Sequence, residues 1–488
     1  MTNKKFKLAA MSLATAVAVS TVGPSASAVT YYLGDGSVTV DQDGNGAYSY
    51  QNKTDGKTEN VYVDQDTQDN GQIIIKQTEG TTTDNTVTVE ENVTNEKGKR
   101  DVDIILDGVN VDTSDTSTQT DTPTEVPADT KEDKTIIKVG EGADVDLTVK
   151  DSNLTTGGNG IDIGVDLDGK DENDDNKKTN VDLTLDHTEI NLTEKDNTAG
   201  IVARDHSTVN VTLKGENTID GKEALEDAAK EAEEAKKEGT SSPNRNVEGI
   251  RVGGENAGDD SSGEGASLTI KGDETSDQGS LNIDHTSAGM VISNGSDVTL
   301  TDNADVDIKH TEAGSSTQGG RGIVQRGDLT IEDKSSLTID TVGSGAYKID
   351  NDQEGLVYGN NGYGIDSTDD ITVTGDSTLE IKGTQSSAIY GGTGSSLTVE
   401  DSTLNIDSNG RGIDYEGGAG DITFDNSQVN ISGNGMGISV APEGGTNITF
   451  DNSTGSVSAQ NGTAIYGPES NGKGKLTVTN KSEVKLEA

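Results

Sequence analysis

The chain has 488 residues, of which only 29% are hydrophobic, and 87 acidic against 37 basic side chains give it a formal net charge of -50. This balance argues against nucleic acid and anionic membrane surfaces as partners, because both are bound through cationic contacts. Cysteine is absent, so the fold does not depend on disulfides. Calcium is a natural small partner for so acidic a chain, although acidity also serves solubility and repulsion between copies.

The amino-terminal segment has the pattern of a secretory signal peptide. Lys4, Lys5 and Lys7 precede an apolar stretch from Leu8 to Val22, and the small residues Ala26 to Ala28 follow it. Residues 1–28 are therefore predicted to be removed before Val29, which places the protein outside the cell, secreted or on a bacterial surface. An uncleaved anchor is less favoured because the stretch is short and interrupted by hydroxyl residues. No later segment is apolar enough to span a membrane.

Two acidic loops resemble the ligand strings of calcium sites. Alternate oxygen ligands with a glycine at the bend can fold around a hard cation, although neither loop has the full spacing of an EF-hand. The ligands predicted in the two loops are Asp41, Asp43 and Asn45, and Asp166, Asp168, Asp171, Asp174 and Asp175. The alternative is that both are solvated acidic loops.

A small residue followed by an apolar one recurs ten times from Gly160 onward, each time at the start of a short alternating segment. The ten apolar residues are Ile161, Ile201, Ile250, Met290, Ile323, Ile365, Ile389, Ile413, Ile438 and Ile465. The last five lie 24, 24, 25 and 27 residues apart, a period typical of repeat architectures. The pattern predicts one elongated domain over residues 101–488 in which each pair opens a coil.

Each coil is predicted to contain three strands, so that the coils stack into a three-sided prism. After Ile389 the apolar residues Leu397 and Val399, then Leu404 and Ile406, recur at a spacing of two, which predicts that they point inward. Asparagine precedes six of the ten openings by four residues, and stacked asparagines can hydrogen-bond from coil to coil as a ladder. These six are Asn197, Asn246, Asn361, Asn409, Asn434 and Asn461.

Several segments interrupt the repeat or precede it. Residues 29–100 alternate without the repeated pair and are predicted to form an amino-terminal β cap or irregular first coils. Loops are expected near 112–133, 168–178 and 221–247. The last contains an Ala, Glu and Lys-rich stretch, Lys222 to Glu238, which predicts a helix with little apolar surface and hence a solvated arm.

The repeat from about Asp101 to the end resembles right-handed parallel β-helix proteins of the pectate-lyase-like class. Within that class, Asp101 to Val111, Ser207 to Ile219, and Leu268 to Gly272 with Gly279 to Ile283 resemble coils of carbohydrate-binding β-helix domains of secreted bacterial proteins. Adhesin passengers are similar as well. The resemblance implies an all-β, right-handed parallel β-helix and calcium-assisted binding of acidic or β-linked polysaccharide.

A strip of outward side chains is the predicted ligand site. Tyr390 and Tyr466 follow their coil openings by one residue, in the column that also holds Asp366 and Asp414. An amphipathic ring can stack on a sugar face, and neighbouring coils are about 4.8 Å apart, which would make the strip contiguous. The alternative is an ordinary exposed face.

These features favour a binder over an enzyme. Arginine is scarce, and of the four arginines near coil openings, Arg251, Arg321, Arg326 and Arg411, only Arg411 is expected beside an aspartate, Asp414. None of the four histidines has a glycine-flanked catalytic setting, and no nucleophile motif is present. The predicted function is an exported β-solenoid that binds polysaccharide or a host glycan, or mediates adhesion, with calcium as the candidate cofactor. The alternatives are a polysaccharide lyase or hydrolase and a structural stalk. Nothing in the sequence covers the last coil, so we expect that the chain is a fragment, that it associates end to end with another copy, or that this end is polar enough by itself.

Overall fold

A computed structural model describes residues 29–41, 46–51, 58–62, 72–93, 102–114, 134–167, 177–194, 197–238, 246–254, 265–273, 279–311, 320–342, 346–348, 356–358, 362–416, 420–441, 445–467 and 474–488. The predicted signal peptide, and most of the loops predicted at 112–133 and 168–178, lie outside these residues.

The described strands form three long sheets, which we call A, C and B in the order in which a coil visits them. Sheet A contains Val29–Tyr32, Gln72–Lys76, Asp103–Asp107, Asp144–Lys150, Thr179–Asp186, Ser207–Lys214, Ser267–Gly272, Asp297–Thr301, Asp328–Ile331, Ile371–Val373, Leu397–Glu400, Ile422–Asp425, Ile448–Asp451 and Leu476–Thr479. Sheet C contains Asn110–Asp112, Asn153–Thr156, Glu189–Leu192, Glu216–Asp220, Ser280–Asp284, Asp305–Thr311, Ser336–Val342, Thr378–Lys382, Thr403–Ser408, Gln428–Gly433, Thr454–Ala459 and Glu483–Glu487.

Sheet B contains Ser37–Val40, Val87–Val89, Ile137–Gly140, Ile161–Val165, Thr198–Ala203, Val247–Val252, Ala288–Ile292, Arg321–Gln325, Ile365–Ser367, Ser387–Gly391, Arg411–Tyr415, Met436–Val440 and Thr463–Tyr466. Two antiparallel strands, Gly46–Gln51 and Thr58–Tyr62, extend sheet B at its amino-terminal edge. A separate antiparallel pair joins Ala346–Lys348 to Leu356–Tyr358. A short 3-10 helix covers Leu33–Asp35, and one α-helix covers Lys222–Glu238.

The predicted fold class is confirmed. The chain is an all-β parallel β-helix with three strands per coil and a short helical insertion among the described residues. Alternating side chains enter the interior, as in Gln428–Gly433, where Val429 and Ile431 are buried and their neighbours are not. Burying each such aliphatic side chain contributes about 1.5–3 kcal/mol, so a thin interior filled along the whole rod can stabilise a chain of low average hydrophobicity.

The repeated small-apolar pair marks one column of sheet B. All ten apolar residues lie in register, each opposite the next from Ile161 to Ile465. A Cβ added to any of the eight glycines that precede them would lie 2.3–2.6 Å from a methyl of a core Ile or Val of sheet C. A small residue is therefore favoured at this position because the branched core residue of the next coil packs closely against it. Alanine takes the same position at Ala388 and Ala464.

Side-chain ladders hold the corners of the prism. At the corner between sheets A and C, four serine hydroxyls each accept a hydrogen bond from the backbone N–H of the serine one coil earlier, at 3.0–3.2 Å. The accepting residues are Ser402, Ser427, Ser453 and Ser482, and the row starts at the backbone N–H of Ser377. The predicted asparagine ladder is confirmed at one step, where the Asn461 amide donates to the Asn434 amide oxygen on the preceding coil, whereas the Asn409 amide donates to the carbonyl of Gly383. Asn361 lies outside the described residues.

The helix occupies the predicted residues, but the prediction of a solvated arm is wrong for its first two turns. Ala224, Leu225 and Ala228 are buried, and the first two belong to the main hydrophobic core. The helix starts directly after the sheet C strand Glu216–Asp220, so its first turns are held against the prism. Within the part of the chain that is described, no helix has the length and apolarity that crossing a bilayer requires.

The last described coil leaves part of its apolar surface open. Leu476, Val478 and Leu486 are each about half exposed. Neighbouring coils cover the equivalent residues elsewhere, for example Ile448 and Phe450. End-to-end self-association through this surface stays a prediction.

Candidate functional site

The glycine of the repeated pair shapes the outer face of sheet B. Because both residues of the pair are buried, the residue two before the opening apolar residue and the residue one after it lie together on the outside. Two ion pairs show this geometry. Glu248 meets Arg251 at 2.6 Å, and Arg411 meets Asp414 across the same three-residue interval.

The predicted strip is contiguous. Asp366 lies opposite Tyr390, and Tyr390 lies opposite Asp414 on the next strand. Ser439 continues the column and leads to Tyr466, which is 45% exposed. Three strand spacings of about 4.8 Å separate the two tyrosines, with the short side chains of Asp414 and Ser439 between them.

The two aspartates of the strip are buried and paired, unlike the side chains of an ordinary exposed face. The Asp366 side chain is 6% exposed and lies 3.0 Å from Arg321 and 3.4 Å from Arg326. The Asp414 side chain is 8% exposed, whereas its partner Arg411 is 42% exposed. Arg411 therefore presents part of its guanidinium to solvent, and the aspartates orient the arginines.

Tyr390 is one member of an aromatic pair. Its ring stacks on that of Tyr363, with ring centroids 4.7 Å apart and an interplanar angle of 18°. The Tyr390 hydroxyl donates a hydrogen bond to Glu416 Oε2 at 3.0 Å. Burial, together with the bond to the Glu416 carboxylate, raises the pKa of Tyr390 to about 12. Burial also raises the pKa of Tyr363. Both phenols therefore stay neutral at physiological pH, and because the Tyr390 proton is donated to Glu416, its oxygen is left to accept from a ligand.

A groove of about 730 Å³ runs along the rod over this aromatic pair. Its lining combines rings, amides, hydroxyls and charges from successive coils: Tyr363, Gln385, Ser386, Ser387, Tyr390, Asn409, Gly410, Arg411, Asp414, Glu416, Asn434, Gly435 and Asn461. Asn409, Asn434 and Asn461 are exposed and stand on three consecutive coils. The groove thus offers an aromatic platform beside a row of donors and acceptors that repeats along the axis.

The structure adds Tyr363 to the site, a residue that stands two positions before its coil opening, whereas the predicted strip used only the position after the opening. Arg411 stands at the same position two coils later and pairs with Asp414, as the sequence indicated. The interval from Arg411 to Asp414 can be read from the sequence. That the two side chains meet depends on the glycine between them, which lets both point outward. Asp366, by contrast, does not line the groove.

The loop predicted to hold calcium around Asp166 starts in an acidic neighbourhood. Burial raises the pKa of Glu141, and the negative charge of the exposed Asp166 raises it further. The buried Glu91 carboxylate accepts a hydrogen bond from Leu167 N and forms an ion pair with Lys177 at 3.2 Å. Carboxylates therefore surround the base of this loop.

The remaining predicted calcium ligands cannot be placed beside it. Asp168, Asp171, Asp174 and Asp175 lie outside the described residues, as do Asp43 and Asn45 of the other loop. Asp41 is described and half-buried. Burial of Tyr31, together with the negative charge of Asp41, raises the pKa of Tyr31 to about 12.

Two other groups of side chains bring possible metal ligands within 4.8 Å of one another. One is Asp284 with His285 and His310, and the other is Asp328 with Asp369 and Asp370. Burial raises the pKa of Asp369, and the nearby charge of Asp328 raises it further. Closely spaced carboxylates with one raised pKa can share a proton or hold a hard cation.

Comparison with protein-family models, with curated protein sequences and with solved structures finds no match to this chain. The argument for function therefore rests on the geometry of the described residues and on the chemistry of their side chains.

Proposed function

We propose that this protein is an exported, surface-associated or secreted β-solenoid that binds extended polysaccharide along the groove of sheet B. The observation that carries the proposal is the stacked pair Tyr363 and Tyr390 beside Arg411 and the amide column. A sugar ring has an apolar face that packs on an aromatic side chain and hydroxyls that pair with amides and guanidinium groups.

The repeat of the scaffold suits a polymer better than a compact ligand. Equivalent positions recur at about 4.8 Å along the rod, so a chain lying in the groove would meet amides on successive coils. Each contact would be weak, and linked contacts add through proximity. The same surface would serve adhesion if the glycan belongs to another cell.

The proposal includes export and calcium. Export rests on the signal-peptide pattern of residues 1–28, and outside the cell weak calcium sites are filled. The pectate-lyase-like resemblance, with its acidic or β-linked polysaccharides, is part of the proposal as well. Calcium would bridge the acidic loops at Asp166 or Asp41 to an acidic sugar or brace the coils beside them.

The test is depletion of the purified protein from solution by insoluble pectin, cellulose and mucin, with and without a calcium chelator. We expect retention on at least one polymer, and chelation is expected to abolish it if calcium assists binding. Retention unaffected by chelation would remove calcium from the proposal but keep the glycan. No depletion on any polymer would contradict the glycan proposal and leave a protein-receptor adhesin or a structural stalk.

A polysaccharide hydrolase is the second candidate, and one observation favours it. Asp328 and Asp369 place two carboxylates within 4.8 Å, and the pKa of Asp369 is raised, as a general acid requires. Release of reducing ends from a retained polymer, lost in Asp369→Asn, would support hydrolysis. Retention without release of new ends supports binding alone.

A further inference from the structure

Two histidines one coil apart form a site that the glycan proposal does not use. His285 directly follows the sheet C strand Ser280–Asp284, and His310 lies near the end of the next strand, Asp305–Thr311, one residue after Lys309, which is opposite Asp284. Both backbones are left-handed, with φ of 50° and 46°, so the two side chains leave the same turn of consecutive coils. Their rings stack with centroids 5.1 Å apart and an interplanar angle of 16°.

The Nδ1 atoms of both rings converge on carboxylate oxygens. His310 Nδ1 is 2.7 Å from Asp284 Oδ1, and His285 Nδ1 is 3.3 Å from the same oxygen. His285 Nδ1 also lies 3.1 Å from Asp220 Oδ1, on the preceding coil. Three consecutive coils thus bring two imidazole nitrogens and two carboxylates to one point on the surface.

The charge at this point favours a cation. Among the described residues, no lysine or arginine forms an ion pair with Asp220 or Asp284. The adjacent Lys309 is directed elsewhere, with its Nζ 2.8 Å from Asp307. Two carboxylates therefore lie beside two imidazoles, and a neutral imidazole offers a ring-nitrogen lone pair to a metal.

We propose that Asp284, His285 and His310 bind a divalent transition metal ion of the zinc class, with Asp220 as the nearest further ligand. Imidazole nitrogens combined with carboxylate oxygens suit Zn²⁺, Ni²⁺ or Cu²⁺, whereas Ca²⁺ and Mg²⁺ prefer oxygen ligands alone. The ligand atoms are already within 4.8 Å of one another, so small side-chain rotations close the site.

The metal would brace the insertion point of the helix. Asp220 Oδ1 also accepts a hydrogen bond from Lys222 N at 2.9 Å, at the first residue of the helix Lys222–Glu238. A metal shared by Asp220, Asp284 and His310 would link three coils at the place where the helix interrupts the regular stacking. Metal binding to the folded chain alone raises its stability by linkage.

The experiment is a calorimetric titration of the purified protein with ZnCl₂ in buffer that holds excess Ca²⁺, which occupies sites built from oxygen alone. We expect one saturable Zn²⁺ site per chain, weakened at least tenfold in His310→Gln and in Asp284→Asn, and a zinc-dependent rise in the unfolding temperature that both variants lose. Circular dichroism checks that each variant keeps the fold.

His187→Gln is the matched control. His187 also has a left-handed backbone, with φ of 52°, and its Nδ1 lies 2.7 Å from Asp186, but no second histidine stacks on it. This variant should bind Zn²⁺ like the parent protein. Equal zinc affinity in the parent and His310→Gln, or no saturable site in the parent, would overturn the proposal. So would an equal loss in His187→Gln.

Discussion

Replacing Gly322 by alanine tests the physical reason for the repeated small-apolar pair. The new Cβ would lie 2.5 Å from the carbonyl oxygen of Gly364 on the next coil and 2.5 Å from the γ2-methyl of Ile339. Ordinary contact begins at 3.4 Å, so the carbonyl must retreat by 0.9 Å. That carbonyl accepts the ladder hydrogen bond from Ile323 N at 2.8 Å, and such a retreat breaks it.

The expected cost follows from these two effects. Overpacking a well-packed core costs about 1–3 kcal/mol, and a lost backbone hydrogen bond adds about 1 kcal/mol. We expect Gly322→Ala to lower the free energy of unfolding by about 2–4 kcal/mol in urea denaturation followed by circular dichroism. Valine should cost more, because its branched methyls point into the same core.

Gly34→Ala is the matched control for Gly322→Ala. A Cβ at Gly34 meets nothing within 4 Å, so the substitution should leave stability unchanged or raise it by about 0.4–1 kcal/mol through the unfolded state. If Gly322→Ala unfolded at the same urea concentration as Gly34→Ala, the packing account of the repeat would be refuted. Hydrogen exchange should locate the loss of protection in the coils that flank Gly322.

Three further predictions concern charge and protonation. Asp366→Asn should lower the free energy of unfolding by about 3 kcal/mol in urea denaturation, because two arginines that are 19% and 24% exposed lose their buried partner. A decrease of less than about 0.5 kcal/mol would mean that these ion pairs do not stabilise the fold. Among the described residues, burial raises the pKa of five carboxyl groups, namely Glu141, Glu248, Asp297, Asp305 and Asp369. A carboxyl group whose pKa is raised in the folded state contributes stability that is fully present below the unfolded pKa of about 4 and is lost as the pH rises through the folded pKa. The unfolding temperature should therefore be higher near pH 5 than at pH 7.5, and the reverse order would contradict this. The raised pKa of Tyr390, about 12, contributes stability that is lost as the pH rises from 10 to 12; Glu416→Gln should lower that pKa in an ultraviolet titration read against Tyr390→Phe, and an unchanged curve would exclude the hydrogen bond as a cause.

The sequence was sufficient to predict the coils because one steric requirement recurs in each of them. A core Ile or Val presses on the glycine before eight of the ten coil openings, and alanine precedes the other two, so the pair of a small and an apolar residue is visible without knowledge of the fold. Alternation at a spacing of two then assigns the inward side chains. This local logic also placed Tyr390 and Asp414 in one column before their surroundings were known.

The environment of the site was not predictable in the same way. That Asp366 is buried between two arginines depends on side chains from the preceding coil, 40 and 45 residues earlier, whose distance is set by loop lengths. The anchoring of the helix rests on the buried residues Ala224, Leu225 and Ala228, too few apolar residues to be recognised in the composition. The spacing of 25 residues between His285 and His310 equals one coil and was a readable signal of their contact.

The most direct test of the central claim compares retention on the preferred polymer between Tyr390→Ala and Tyr32→Ala. Tyr32 is an exposed tyrosine, at 43%, in the first strand of sheet A and far from the groove. We expect Tyr390→Ala to bind about tenfold more weakly, the loss of one stacking contact of about 1.4 kcal/mol, while Tyr32→Ala binds like the parent. Equal retention by the two variants would show that the groove of sheet B is not where polysaccharide binds.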